Sequence, residues 1–458
     1  MTEPAEDARG VRPGRQRISI VVAAALCAPG ILARLAGVHG KPGVMALLFG
    51  LAIVGAAFLL SWAAEVAQLD ISAGLAIALL AFIAVLPEYA VDTVFAWKGG
   101  KGFREFGSSC HAAGSATESP CSLALANMTG ANRLLIGVGW SLVVFLAWWA
   151  MRRRDASPGH TGAVATPGIA VVAGTDSAMS GIALDRTHSV ELAFLAVASA
   201  YSLTLPLKQS ITLIDAAVLI SLFVVYTVRI SRAPAEEPEL VGPAMYIGTF
   251  TTRNRRLTVG LFFVFAAGVI LLCAEPFAES LVAAGAELGV SEFLLVQWLA
   301  PLASETPELL VAGLYAWRLN TNAGLGTLVS SKVNQWTLLV GTLPIVFAIA
   351  SGSTHGLPII ARQREELFLT AAQSVFAVAI LINLSISVRE AGMLFALFWA
   401  QFVIGAVVPA SWHGAELVVV GIVYLVLAAG YLVAHRRSVP QLLRDGVRTE
   451  YAELTRQA

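Results

Sequence analysis

Two short stretches carry the residues with the most distinctive chemistry, and they repeat each other. Residues 86–98 read LPEYAVDTVFAWK, and residues 306–318 read TPELLVAGLYAWR. Pro, Glu, Val, Ala and Trp coincide in the two stretches at a constant offset of 220 residues. Each stretch therefore places one glutamate, Glu88 or Glu308, directly after a proline in an otherwise apolar run.

The chemistry of this motif is that of an ion ligand. A carboxylate deep in an apolar helix is costly to place in lipid, so it must face a protein-lined cavity and find a partner there. The preceding proline removes one backbone donor and frees a carbonyl oxygen one turn back. Carboxylate and carbonyl oxygens are the ligands that hard cations take. Helix packing or proton relay are alternative roles, but the duplication favours cation binding by Glu88 and Glu308.

Each motif is followed by a second segment of small and polar residues. These segments are ANMTGANR at 126–133 and GTLVSSKV at 326–333. The position of Asn132 in the first segment is matched by Lys332 in the second. An ammonium group has three donors and no acceptor, so it cannot ligate a metal but can occupy the place of one. We expect Glu305 or Glu308 to hold Lys332 in that place; in the alternative, Lys332 points away and only packs.

Further charged residues lie close to both segments. Asp92 lies one helical turn beyond Glu88 on the same face, so it either extends a cation path or pairs with Arg133. Glu305 lies one turn before the second motif glutamate and is placed to form a buried ion pair with Lys332. We therefore assign Asp92, Glu305, Lys332 and Arg133 to charge balance around the cation.

The elements that position these residues are membrane helices. The chain is 57% hydrophobic and only 13% charged, with a mean hydropathy of +0.75, whereas soluble chains are about 25% charged. A hydrocarbon core about 30 Å thick needs about 20 apolar residues of helix. About twelve such runs predict an all-α polytopic membrane protein, at 18–37, 43–66, 72–97, 121–150, 189–206, 210–229, 256–282, 292–317, 322–350, 367–387, 391–409 and 415–435.

The distribution of basic residues predicts the orientation. With a cytoplasmic N-terminus and twelve crossings, about twenty Lys and Arg fall inside and seven outside, which is the bias that places both termini in the cytoplasm. In this topology the first motif helix runs outward and the second runs inward, as in an inverted-topology repeat. We therefore expect an inner-membrane protein with Trp97 toward the periplasm and Trp317 toward the cytoplasm.

The same pattern divides the chain into two halves with short tails. The predicted parts are a cytoplasmic tail at 1–17, a first half at 18–230 with its repeat at about 72–150, a cytoplasmic linker at 231–255, a second half at 256–435 with its repeat at about 292–350, and a cytoplasmic tail at 436–458.

Several functions have no support in the sequence. No phosphate-binding GxxxxGK[ST] stretch and no nucleophile elbow occurs, so neither nucleotide drive nor enzymatic hydrolysis is expected. Thirty basic against thirty acidic residues give no net charge that would favour nucleic acid. We expect no cofactor; the partners are inorganic cations and the lipid bilayer, and the oligomeric state stays open. The four cysteines show no CxxC spacing, and their spacing leaves open whether Cys110 and Cys121 pair.

The repeated pairing of a Pro-Glu helix with a segment ending in Gly-x-Asn resembles the alpha-repeats of the calcium/cation antiporter superfamily. Sodium/calcium exchangers are its best-known members, and the resemblance covers about residues 43–410. It implies ten helices in two inverted halves, here with extra terminal helices, and a cation held between the repeat glutamates. The resemblance therefore implies that Glu88 and Glu308 bind the cation, together with Asn127 and Asn132 from the second helix of the first repeat.

Two departures from the family pattern affect the ligand set. The family places Thr and Ser ahead of Pro-Glu, whereas this chain has Ala84 and Val85 in the first repeat and Ser304 and Glu305 in the second, so only Ser304 remains as an oxygen ligand. Lys332 stands where the family has Asn or Asp. The resemblance implies a secondary antiporter exchanging Ca²⁺ or Na⁺ against Na⁺ or H⁺ by alternating access. A sodium/proton exchanger of the same fold, a passive channel and a transport-inactive protein are the alternatives.

Overall fold

The computed structural model describes residues 13–70, 86–112, 118–155, 181–234, 240–289 and 292–455. Its helices are α1 Pro13–Leu35, α2 Pro42–Ala67, α3 Leu86–Phe106, α4 Pro120–Leu134, α5 Ser141–Asp155, α6 Ser189–Ser202, α7 Leu213–Ile230, α8 Pro243–Gly248, α9 Thr252–Leu288, α10 Glu292–Trp317, α11 Thr321–Asn334, α12 Val340–Ser351, α13 Ala361–Ile380, α14 Val388–Val407, α15 His413–Ala434, α16 Ser438–Val447 and α17 Tyr451–Leu454. Its strands are β1 Gly181–Ala183, β2 Ser210–Ile211, β3 Leu357–Pro358 and β4 Ser385–Ser387.

The predicted membrane runs correspond to helices. Within the described residues, ten helical stretches are long and apolar enough to cross a membrane, and each overlaps a predicted run. The predicted run 292–317 is helix α10, and the part of run 72–97 before residue 86 lies outside the described residues. The predicted linker 231–255 includes α8 and the start of α9. The chain is thus a multi-pass, all-α membrane protein.

One end of the helix bundle is marked by a disulfide. Helix α3 ends there, with Lys98 Nζ 2.5 Å from Glu279 Oε1 in the last third of α9. Cys110 and Cys121, whose pairing the spacing leaves open, are bonded to each other just beyond α3. We call this the disulfide end.

The second motif helix, α10, ends at the opposite side of the bundle. The Trp317 ring lies 4.8 Å from that of Trp149, and Arg318 contacts the sulfur of Met245 just ahead of α9. Helix α9 runs from this end to the disulfide end: it begins just after Met245, and its last third carries Glu279. Arg255 near its start pairs with Asp70 at 2.7 Å. We call this the arginine-rich end, after Arg153, Arg186, Arg255 and Arg318. The two motif helices are therefore antiparallel.

The second segments of the two halves fold alike. Each is followed by one turn of π-helix, Leu135–Trp140 after α4 and Gln335–Leu339 after α11. Residues 131–150 and 331–350 have the same burial class at every position. The repeat inferred from the motif thus extends through a full membrane crossing, at an offset of 200 residues.

A third matched segment follows at an offset of 175 residues. Thr212 and Ser387 each cap a helix, α7 and α14, and each forms a capping box with the acidic residue three positions on. Strand β1 pairs with β4 and β2 pairs with β3, so each pair joins the two halves. Ser199 and Ser374, also 175 residues apart, hydrogen-bond to each other at 2.8 Å. The two halves are inverted repeats about an axis through the bundle centre.

Helix α16, near the C-terminus, binds residues at the arginine-rich end. Arg186 donates to both carboxylate oxygens of Asp445 in α16, at 2.8 and 3.0 Å. Burial disfavours the ionised form of Asp445, but hydrogen bonds from Arg186 and Thr449 outweigh it and hold the pKa of Asp445 below its ordinary value. Next to Arg186, Asp185 accepts a hydrogen bond from the Asn322 side chain in α11. The start of α11, which leads to Lys332, is thereby held in place.

Labelling from each side of the membrane tests the antiparallel arrangement. Single cysteines replacing Lys98 and Arg318, in a background without the free Cys27 and Cys273, should react with a membrane-impermeant maleimide from opposite faces. The reason is that α3 and α10 end at opposite ends of the bundle. Labelling of both positions from one face would contradict the inverted repeat.

Candidate cation site

Glu88 and Glu305, from opposite halves, meet at a buried glutamine. Gln335 Nε2 lies 2.6 Å from Glu305 Oε1 and 3.4 Å from each Glu88 oxygen. The three side chains are at most 3% exposed. Both carboxyl groups therefore lie within 3.4 Å of one nitrogen, and two buried carboxyl groups this close disfavour ionisation of both at once, which favours a proton on the pair when no cation is bound. This cluster joins two acids at the contact between the repeats.

Glu308 lies one turn beyond Glu305 on α10 and makes fewer contacts. Its side chain is 9% exposed, and its Oε2 is buried with no hydrogen-bond partner in the described part of the chain. Within the described residues, Glu88 accepts hydrogen bonds from Gln335. The duplicated motif identifies Glu308 as a buried acid, but Glu305 is the acid of α10 that shares Gln335 with Glu88.

Lys332 binds Asn132, its matched residue in the other half. Its Nζ donates to the backbone oxygen and to Oδ1 of Asn132, both at 2.5 Å, and lies 5.5 Å from the centre of the Trp336 ring. Both Lys332 and Asn132 are 0% exposed. Within the described residues the hydrogen bonds of Lys332 thus go to Asn132, its matched residue, rather than to the expected Glu305 or Glu308. The ammonium occupies both oxygens that Asn132 would offer a cation.

Asp92 and Arg133 do not pair. Asp92 accepts a hydrogen bond of 2.7 Å from Asn127. Arg133 instead forms a buried ion pair with Glu366, with Nη1 and Oε2 2.9 Å apart, and it also donates to Gln401. The charge of Arg133 is therefore balanced away from the acids Glu88 and Glu305, contrary to its expected role there.

The remaining predicted ligand, Ser304, is 4% exposed. Its hydroxyl donates back along α10 to the backbone oxygen of Ala300 at 3.2 Å, which leaves the lone pairs of Oγ for another donor or a cation. Pro307 has no N–H for the carbonyl of Ala303, four residues earlier. In the described chain, no three His, Cys, Asp or Glu side chains form a metal cage, so a cation here needs amide, hydroxyl and backbone oxygens besides the acids.

Sequence reasoning missed Gln335. The residue is an amide inside an apolar run, three positions after Lys332, and no motif contains it. Two signals were present in the sequence: a buried glutamine needs partners for its amide group, and Gln335 lies one turn beyond a segment already matched between the repeats. In the structure it opens a π-helical turn, a geometry often found at functional sites.

These features define a class of protein. Antiparallel Pro-Glu helices from inverted halves, with buried acids meeting near the repeat axis, form the architecture of a secondary transporter for cations. The sequence model of the sodium/calcium exchanger protein family matches residues 41–231 and 258–408. The chain belongs to this family and is a secondary cation antiporter rather than an enzyme.

Solved structures agree with this assignment. The crystal structure of the H⁺/Ca²⁺ exchanger CAX is 38% identical, with a TM-score of 0.81, and the match covers 97% of this chain and 100% of that chain. The structure of native YfkE is 13% identical, with a TM-score of 0.52 over 90% of this chain and 100% of that chain, which shows the fold alone. No curated protein sequence matches the chain.

Proposed function

We propose that this protein exchanges Ca²⁺ for protons across the inner membrane, by alternating access around Glu88 and Glu305. The observation that carries the proposal is the meeting of these two buried acids, one from each half, at Gln335, because such a pair favours holding one proton when no cation is bound. A divalent cation that binds both groups displaces that proton, because both must then be ionised. Release of the cation on the other side lets the pair take a proton again. Binding of the two ions is thus mutually exclusive.

Two further observations support calcium and protons as the exchanged ions. CAX, at 38% identity over 97% of this chain, is an H⁺/Ca²⁺ exchanger. Carboxylate, amide, hydroxyl and backbone oxygens are the ligand types Ca²⁺ takes. Lys332 meanwhile occupies both oxygens of Asn132, which leaves fewer positions for several sodium ions. This proposal keeps Glu88, Glu305, Glu308, Ser304 and Gln335 as the groups around the cation.

We further propose that the arginine-rich end faces the cytoplasm. The end that carries Arg153, Arg255 and Arg318 matches the side to which basic residues are retained during insertion. Helix α1 begins at this end, where Arg17 binds Tyr246 just ahead of α9. Helix α15 ends there too, since Arg186 binds Asp445 in the following helix, α16. Under this proposal both termini lie in the cytoplasm.

Flux in proteoliposomes tests the exchanged ions. An imposed pH gradient should drive Ca²⁺ accumulation, and a Ca²⁺ gradient should drive proton movement, whereas Na⁺ or K⁺ gradients should drive neither. Proton flux coupled to Na⁺ but not to Ca²⁺ would favour a sodium/proton exchanger instead. Ca²⁺ movement that needs no ion on the opposite side would indicate a channel.

Replacing Lys332 tests why sodium is excluded. Lys332→Asn removes the ammonium and frees the oxygens of Asn132, so we expect Na⁺ to bind the purified protein and to stimulate or compete with Ca²⁺ exchange. Lys332→Arg, which keeps the charge, should bind Na⁺ no better than the wild type. Titration calorimetry with NaCl, next to flux assays, measures the effect. Unchanged Na⁺ binding in Lys332→Asn would place the lysine outside the transport site.

A further inference from the structure

Asp92 and Asn127 form a buried polar pair that the Glu88–Glu305 site does not use. Nδ2 of Asn127 donates to Oδ1 of Asp92 at 2.7 Å, and the side chains are 0% and 1% exposed respectively. The other oxygen of each residue, Oδ2 of Asp92 and Oδ1 of Asn127, is buried and has no hydrogen-bond partner among the residues that the structure describes. The pair therefore holds two acceptor oxygens inside the protein that only a donor or a cation satisfies.

No basic side chain within the described residues neutralises this aspartate. Basic residues of the neighbouring helices bind other groups, in the pairs Arg133–Glu366, Lys332–Asn132 and Lys98–Glu279. A buried carboxylate with one amide donor and no counter-charge is costly. A cation at the two free oxygens removes that cost.

The pair lies between the Glu88–Glu305 site and the disulfide end. Asp92 is four residues beyond Glu88 along α3, about 6 Å nearer that end at 1.5 Å per residue. Asn127 is five residues nearer than Asn132 to the start of α4, which lies at the same end. Asp92 and Glu88 lie one helical turn apart on the same face of α3. A cation moving from the disulfide end to Glu88 would therefore pass this pair.

The pair has no equivalent in the other half. At the matched offsets, Ala312 replaces Asp92 and Thr327 replaces Asn127. Thr327 is exposed, and its hydroxyl donates to the backbone oxygen of Ala323 at 2.8 Å. The polar pair is thus a one-sided addition to a symmetric site.

We propose that Asp92 and Asn127 form a second cation-binding station, which loads Ca²⁺ into the Glu88–Glu305 site from the disulfide end only. The proposal rests on the proposed function and adds sidedness to it. Two protein oxygens are few for Ca²⁺, which takes six to eight oxygen ligands, so the ion keeps most of its water at this station. It becomes more fully coordinated by protein only at Glu88 and Glu305.

Sided kinetics test the station. In proteoliposomes with one protein orientation selected by an impermeant blocker, the Ca²⁺ concentration for half-maximal exchange is measured from each face. For Asp92→Asn, we expect it to rise about tenfold or more from the disulfide end, because the charge is lost while the hydrogen bond to Asn127 is kept. From the arginine-rich end it should stay as in the wild type. Asn127→Leu should show the same one-sided rise, and Glu275→Gln, an exposed acid near that end, should show none.

Other outcomes overturn the station. An equal rise from both faces in Asp92→Asn and Asn127→Leu would mean that the pair only supports the fold, and no rise from either face would place it off the cation path. Wild-type protein that exchanges no Ca²⁺ at all would instead refute the proposed function itself, so the two failures are told apart by the wild-type measurement.

Discussion

Glu88→Gln should reduce Ca²⁺/H⁺ exchange to the level of empty vesicles while leaving the protein folded and inserted. Glutamine keeps the size of the side chain and can still hydrogen-bond to Gln335 and Glu305. It cannot bind the shared proton or offer a negative charge to a cation, and these are the two properties the proposed cycle needs. Flux at matched protein density, with gel filtration as the test of folding, measures the effect. Wild-type flux in Glu88→Gln would remove the assigned site.

The acids of α10 refine this test. Glu305→Gln should also abolish exchange, because Glu305 is the residue that shares the proton with Glu88. We expect Glu308→Gln to abolish it as well, since Glu308 is the buried motif acid of the second repeat. Glu275→Gln, half exposed beside Arg34, is the matched control and should exchange normally. Loss in Glu305→Gln with activity kept in Glu308→Gln would assign the cation to the Glu88–Glu305 pair alone.

Arg133→Met should destabilise the protein strongly, by about 3–5 kcal/mol. Arg133 and Glu366 form an ion pair whose side chains are only 3% and 6% exposed. Removing the arginine leaves a buried carboxylate without its counter-charge, and Gln297, which donates to the same Glu366 oxygen at 3.0 Å, cannot replace that charge. A fall in the thermal midpoint in detergent, followed by gel filtration, measures the loss.

A double replacement separates charge from packing. Arg133→Met combined with Glu366→Met removes both charges at similar volume and should recover much of the stability lost in the single variant. Arg34→Met, at the exposed pair with Glu275, should change little. A double variant as unstable as Arg133→Met alone would show that packing, rather than the unpaired carboxylate, accounts for the loss.

The sequence predicted the features that depend on local patterns or that occur in both halves. The duplicated Pro-Glu stretch located Glu88 and Glu308, the apolar runs located the helices, and the opposite senses of the two motif helices indicated the inverted repeat. The first two are local patterns of the chain, and the third needs only the number of helices between the two motifs.

The contacts between distant segments could not be read in this way. Glu305 contacts Glu88 through Gln335 because α3, α10 and the π turn after α11 converge, and no spacing rule relates them. Arg133 and Glu366 are 233 residues apart, so the sequence offered only the nearby Asp92 as an alternative partner, and the structure does not have that pair. Lys332 was expected to seek a carboxylate, yet the repeat axis places it against two oxygens of Asn132.

The disulfide lies where the two repeats differ most in length, in the connection between the motif helix and the second segment. The offset between matched positions falls from 220 at the motif helices to 200 at the second segments, so the first half has 20 more residues between Glu88 and Asn132 than the second has between Glu308 and Lys332. The disulfide between Cys110 and Cys121 lies in this longer connection. Structural disulfides persist in oxidising compartments and are rare in the cytosol. The bond is therefore a redox marker of sidedness, independent of the basic residues, and it supports the proposal that the disulfide end faces away from the cytoplasm.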